Sequence, residues 1–432
     1  MLMKEKKETI TVWSGFAFRA AACVLLAIAA GFALLVLAYC LPTEKIRQNV
    51  AASGEQVSSE GCYYQWAKGY KNAQTDTYTD ASLILNAMYP GSGSPVRDAM
   101  NAPRILYGED DNEASVVKLA NGVQADTHEV FYGRYWHGIL LFLKPLLLFF
   151  DLADIRMISM MVQFLLLFLV LVGFVRRKKE RELVGFFAAV ILINPVTMIM
   201  GLCFSAEYIL TLLMAAIMLF YHEKLSEGMG YYYLFLWSGI LFVYFNELSF
   251  PVIGLGIPLV VYLLLGGEDT RGLIRKEIAF TALWGAGYAG VWIGKWILAW
   301  IFTGYNYFGE ALEQAARYTS DHSTWEAQNP SLMERLAKNI DVYQKWPYLL
   351  LVMGIVLFLV LYTVRRRQRI TGESVTGMLP YFLLVLLPFA VFTALGNGYS
   401  YVHYWFTHRL LSISAFAGVC MILRLTDEKR KG

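Results

Sequence analysis

Apolar residues along this chain gather in long runs separated by short polar connectors. A helix needs roughly 20 apolar residues to cross a bilayer, and about ten runs approach that length: 15–40, 154–175, 183–201, 205–221, 231–247, 249–265, 279–302, 347–364, 378–396 and 408–424. The runs within 183–221 and 231–265 follow one another closely and read as helical hairpins. The first run is too long for a signal peptide and has no small-residue cleavage site. Lys and Arg recur on alternate connectors: Lys4, Lys6 and Lys7; Arg176, Arg177, Lys178, Lys179 and Arg181; Arg271, Arg275 and Lys276; Arg365, Arg366, Arg367 and Arg369; Lys429, Arg430 and Lys431. The turns near 201–206 and 246–251 carry none. Positive residues stay cytoplasmic, so both termini are expected inside, as an even number of spans requires.

This orientation sends two loops outward, 42–136 and 305–346. Structureless loops beyond about 12–15 residues are usually functional or disordered. The first is rich in aromatic residues, among them Tyr63, Tyr64, Trp66, Tyr78, Tyr135 and Trp136, which argues for packing at the interface or around a ligand. The apolar stretch 138–150, GILLFLKPLLLFF, is too short to span. It reads as an interfacial helix kinked at Pro145, with Lys144 snorkelling to the headgroups. The expected fold is an all-α polytopic membrane protein, N-in and C-in. Residues 1–41 hold the cytoplasmic N-terminus and first transmembrane helix. Residues 42–153 form an extracellular loop with juxtamembrane helices. Residues 154–432 form the multi-helix domain, with a second extracellular loop at 303–346.

Composition supports the membrane reading: 57% of residues are hydrophobic and 16% charged, against roughly 45–50% and 25% in soluble chains. A net charge of +3 without a basic stripe excludes nucleic acid as a partner. The five cysteines are scattered, fitting neither a metal motif nor a disulfide framework. No glycosylation sequon occurs, in keeping with a bacterial plasma membrane. The cytoplasmic connectors hold no phosphate-binding glycine motif and no room for a nucleotide domain, so a nucleotide-activated donor is not expected to be used directly.

Four clusters carry candidate chemistry. In the first, Asp76-Thr77-Tyr78-Thr79-Asp80, the spacing predicts a helix over Ala81–Met88 with Thr79 as its N-cap. Asp80 then either offsets the helix dipole or joins Asp76 as a carboxylate pair able to take a proton from a hydroxyl. The second, Thr127 to His137, contains Arg134, Tyr135 and His137. Arg134 and His137 either bind ordinary phospholipid headgroups or grip a substrate phosphate. In the third, His403, His408 and Arg409 lead into the last span, where an arginine is costly unless it meets an anion. The fourth is a set of intramembrane acids, Glu207 and Glu247, which either pair with Arg409 or Lys295 to tie helices together or line a substrate cavity; Lys295, on the seventh span, either snorkels outward or faces that cavity. The run Glu109 to Glu113 is acidic but lacks the spacing of a calcium loop, which leaves a divalent cation possible and unassigned.

A first span, a large acidic outer loop, flanking juxtamembrane helices and many further spans resemble the GT-C superfamily of integral membrane glycosyltransferases. The strings Asp76-Thr77-Tyr78-Thr79-Asp80-Ala81 and Tyr132-Gly133-Arg134-Tyr135-Trp136-His137-Gly138 are similar to those of polytopic membrane proteins in Gram-positive bacteria. The resemblance implies transfer of a sugar from a polyprenyl-phosphate carrier to an extracytoplasmic acceptor: an envelope polymer, a glycolipid or a protein. Asp80 or Asp76 would be the general base, and Arg409, helped by His408, Arg134 and His137, would hold the donor phosphate. GT-C acids often lie nearer the first span than Asp76 does, which keeps Glu44, Glu55 and Glu60 as further candidates. A transporter or flippase of a lipid-linked precursor, an oligosaccharide polymerase or ligase, and a non-catalytic assembly subunit are the competing readings.

Overall fold

The computed structural model describes residues 2–322, 329–366 and 375–425, the side chains of 2–12 and 366 excepted. Its architecture is that of an all-α membrane protein. Among the described residues, five helical stretches are long and apolar enough to cross a membrane: Trp13–Tyr39, Leu152–Arg176, Leu202–Ser226, Trp346–Arg365 and Tyr404–Leu425. Shorter apolar helices accompany them at Leu183–Ile193, Gly230–Phe245, Ile253–Leu265 and Leu379–Ala394. The 34-residue helix Thr270–Thr303 stands beside Gly230–Phe245. Glycines let these two backbones touch: a Cβ on Gly239 would lie 2.0 Å from the Trp284 carbonyl oxygen. Small residues serve helix contact in lipid in this way, because hydrocarbon supplies no hydrophobic drive between helices.

In chain order the elements used below are α1 (Leu2–Tyr39), α2 (Glu44–Ala52), α3 (Gly54–Glu60), α4 (Thr77–Met88), α5 (Pro95–Asn101), β1 (Pro103–Tyr107), α6 (Asn112–Ala120), β2 (Thr127–Phe131), α7 (Leu140–Leu147), α8 (Leu152–Arg176), α9 (Leu183–Ile193), α10 (Pro195–Met200), α11 (Leu202–Ser226), α12 (Gly230–Phe245), α13 (Ile253–Leu265), α14 (Thr270–Thr303), α15 (Tyr307–Thr319), α16 (Leu332–Asp341) and α17 (Trp346–Arg366). The apolar run 183–201 is two helices. Asn194 adopts φ 67° between them and caps α10 through Thr197, while Pro195 opens α10.

Everything from α2 to α7 forms one folded layer. It contains an antiparallel hairpin, Pro103 opposite Phe131 through Tyr107 opposite Thr127, which the all-α expectation did not include. Each strand is only five residues, too short for a clear alternating signal. α4 is the centre of the layer and is buried from Asp80 to Met88, so its apolar face has no single direction. The helix begins at Thr77, and its N-cap is Asp76 rather than Thr79. Lys144 does not snorkel. It is fully buried, and its ammonium donates to the Ala87 carbonyl at 2.9 Å and faces the Tyr39 ring. α2 and α4 pack on α7, and the Lys144 side chain is shut off from water. Of the basic connector residues, Lys4, Lys6, Lys7 and Arg366 lie outside the described side chains. Arg367, Arg369, Lys429, Arg430 and Lys431 lie outside the described residues.

Candidate functional site

The two aspartates of α4 have different tasks. Asp80 points at the start of α11, where its carboxylate oxygens accept the backbone N–H groups of Leu202 and Cys203, each at 2.9 Å. Gly201, the N-cap of α11, has no side chain to do this, so a residue from another helix satisfies two of the orphan donors. Burial pushes Asp80 up to about 6, against the pull of those two N–H groups and of Arg156. The space beside it, lined by Glu60, Thr77, Glu113 and Arg156, has a volume of about 20 Å³, enough for one water and too small for a sugar ring. Arg156 is itself held by Glu60 in a two-pronged pair at 2.5 and 2.7 Å.

Asp76 caps its own helix through Thr79, whose N–H and hydroxyl donate at 3.1 and 2.9 Å. Burial pushes it up to about 7, with Asp80 and Glu247 adding to the rise and the Thr79 bonds opposing it. Beside it is the half-exposed ring of Tyr63, which stacks on Tyr78 and meets Trp405 edge-on.

Arg409 and His408 act as struts. All four hydrogen bonds of the Arg409 guanidinium go to main-chain carbonyls: Ile193 at 3.2 Å, Trp405 at 3.1 Å, Asn72 at 3.0 Å and Gln74 at 3.2 Å. The plane also lies over Phe204 and Phe250. His408 bonds the Asn72 side chain at 3.0 Å and the Tyr404 carbonyl at 2.8 Å. Asn72, which the sequence reading passed over, is the hub: its amide donates to Leu192 and to the Tyr348 hydroxyl, and its carbonyl also accepts from Asn194 and Thr197. Lys295 is likewise buried, donating to the Ala99 carbonyl at 2.8 Å beside Trp136. The third cluster therefore meets the first, since Arg409 grips the chain two residues before Asp76, but it offers no donor there to an incoming phosphate.

Clusters two and four also meet. His137 bonds Glu247 through Nδ1 and the Tyr132 carbonyl through Nε2 at 2.8 Å. Both segments are fixed by backbone contacts. Gly138 donates to the Tyr244 carbonyl at 2.9 Å, so close that a Cβ would fall 2.4 Å from that oxygen. The loop of Asn246 to Phe250 is pinned by Glu207, which accepts the Phe250 N–H at 3.1 Å, and by the Tyr399 hydroxyl, which donates to the Leu248 and Ser249 carbonyls. His137 and Leu248 both have positive φ, 54° and 66°, a costly conformation for side chains other than glycine. The second carboxylate oxygens of Glu247 and Glu207 are buried without a partner.

Aromatic rings surround this pair. Tyr132 lies 5.3 Å from His137 and 5.4 Å from Tyr135, and Tyr135 stacks on Trp292. Tyr399, Tyr318 and His403 form a second set, with Nδ1 of His403 buried and unpartnered. Arg134 pairs with Glu310 of α15 and lies over Tyr132 and Tyr135. Glu310 was not anticipated, because nothing in the sequence signals which acid of the second loop returns to the first.

For a metal ion the described residues offer one group: Cys62, Asp111 and Glu113, with donor atoms within 4.8 Å of one another. They already bond among themselves. The thiol donates to Glu113 at 2.9 Å, and Asp111 caps α6 through Ala114. Desolvation and the two acids push the thiol up, against the thiolate a metal would need. No protein-family model matches this chain, and no curated protein or solved structure matches it either.

Proposed function

We propose that this chain is an outward-facing glycosyltransferase of a bacterial plasma membrane. It has ten spans with both termini inside, and it moves a sugar from a polyprenyl-phosphate carrier to an extracytoplasmic acceptor. The observation that carries the reading is Asp76, a buried outer-loop carboxylate whose hydrogen bonds come only from Thr79 of its own turn and which burial, with Asp80 adding, pushes up to about 7. A general base works best with a pKa near the operating pH. Asp76 takes the proton of the acceptor hydroxyl, and Asp80 keeps α11 in place beneath it. The hydroxyl attacks the sugar opposite the phosphate and inverts the anomeric centre. Arg134 holds charge developing on the leaving phosphate, the rings of Tyr63 and Tyr132 offer faces for the sugar, and His137, like His408, is committed to protein partners. Arg409 and His408 are released from the phosphate-binding role by their carbonyl and asparagine partners.

The test uses cells lacking the protein, complemented with wild type, Asp76→Asn or Asp80→Asn. Membrane levels are checked first, then envelope sugars and the pool of lipid-linked sugar. Asp76→Asn is expected to insert normally, remove one sugar from an envelope polymer and accumulate its polyprenyl-phosphate form. Wild-type envelopes from both aspartate variants would move the assignment to transport or assembly.

A further inference from the structure

A cavity of about 350 Å³ opens at the far end of α11. Its walls are the connector after α8, the end of α11, the last turn of α13 with the turn that follows, and the end of the last helix, Leu411–Leu425. His222 lines it, and Leu202, where Asp80 docks, lies at the other end of the same helix. At 1.5 Å per residue the two are about 30 Å apart, close to the thickness of a hydrocarbon core. The cavity is therefore at the opposite headgroup level from the candidate site, among the basic connectors.

Groups of both signs line it without closing on one another. The side chains of Lys179 and Arg424 have no hydrogen-bond or ion-pair partner among the described residues. Arg177 is already committed, to the Glu223 carboxylate and the Leu219 carbonyl. On the acidic side, Glu182 is 4% exposed, and its Oε2 is buried without a partner. Its one ion pair among the described residues is loose, 3.7 Å to Arg181, whose guanidinium also donates to the Tyr362 hydroxyl. α13 ends in the same cavity. The Gly266 N–H reaches the Tyr262 carbonyl, and the carbonyls of Leu263, Leu264 and Leu265 receive no N–H among the described residues. Such a helix end attracts a cationic donor. A plain anion here would meet Glu182 and the end of α13, and a plain cation would meet Lys179 and Arg424. A ligand with an ammonium and a phosphoryl group a few bonds apart satisfies both sides.

We propose that this cavity binds the phosphoethanolamine headgroup of a membrane lipid. Its ammonium donates to Glu182 and the end of α13, and its phosphoryl oxygens accept from Lys179 and Arg424. Depth favours the lipid as source; free phosphoethanolamine carries the same chemistry and is the competitor to test. The site does not depend on the glycosyltransferase reading.

The experiment offers the full chain in detergent an equimolar mixture of phosphatidylethanolamine, phosphatidylcholine and phosphatidylglycerol, and identifies the retained lipid by native mass spectrometry. Wild type is expected to retain phosphatidylethanolamine over the other two by roughly 10- to 100-fold, since choline has no N–H to donate and glycerol no positive charge. Glu182 makes no capping bond to α9, so Glu182→Met should melt as wild type does while losing the preference over phosphatidylglycerol. Arg424→Met, at an exposed position, should weaken retention of all three lipids by about tenfold, whatever the behaviour of Glu182→Met. Equal retention of the three lipids by wild type, or phosphatidylglycerol retained best, would overturn the site. So would unchanged selectivity in Glu182→Met or unchanged retention in Arg424→Met. Displacement of the lipid by an equal concentration of free phosphoethanolamine would overturn the lipid assignment.

Discussion

Two aspartates four residues apart separate into a cap and a candidate base because of what each faces. Asp80 meets two N–H groups of α11, whereas Asp76 meets only Thr79 of its own turn and the field of other acids. Asp80→Asn can accept one of the two N–H bonds and turns an amide donor toward the other, so it should lose about 1–3 kcal/mol, read as a lower melting temperature in detergent. Asn caps a helix as well as Asp does. Asp76→Asn should therefore melt at or above the wild-type temperature while transfer falls about 10²–10⁴-fold. The pH dependence follows from the same group. A base is active when ionised, so transfer should rise as pH increases through about 7. Stability runs the other way. The Asp76 value is raised in the fold from an ordinary 3.8, so its contribution is complete below that value and is lost as pH rises through about 7. Melting curves from pH 4 to 8 should show wild type losing ground that Asp76→Asn retains. A flat difference between the two would contradict the raised value.

Between elements, the decisive joints are made by backbone atoms. Arg409 ties the chain before α4 to the ends of α9 and the last span through four carbonyls. Arg409→Met should strand those buried acceptors and lower stability by about 1–3 kcal/mol for each group left unpaired. That size of loss would appear as poor membrane levels. Its failure to accumulate would be a folding defect, which lipid-phosphate binding measured on the surviving fraction can separate from a ligand role. Gly138 is the other joint. A methyl there would collide with the Tyr244 carbonyl, so Gly138→Ala should shift the chain by enough to part His137 from Glu247. The expected readout is transfer lost more steeply than stability. The cluster strings were legible in the sequence, as were the acids near the span ends. Partners such as Asn72 and Glu310 were not, since no spacing rule relates residues more than a hundred positions apart.

At the scale of the whole molecule, the long apolar helices follow the runs along the chain, and the layer of α2 to α7 packs on them. Orientation is open to a direct check: in a background with both exposed cysteines replaced, Cys40→Ser and Cys62→Ser, Lys68→Cys should react with a membrane-impermeant maleimide on intact cells, and Lys179→Cys only after permeabilisation. The reverse pattern would turn the molecule over. By itself the sequence determined that the chain is membrane-embedded and helical, because apolar run length and the cost of unpaired backbone in lipid leave few alternatives. It also marked where ionisable residues concentrate. Only the tertiary structure decided what those residues do. A buried arginine or aspartate takes its role from the groups that satisfy it. For Arg409 and Asp80 these are carbonyls and N–H groups of distant elements, whereas Asp76, Glu247 and Glu182 keep charge or lone pairs that the fold leaves uncompensated.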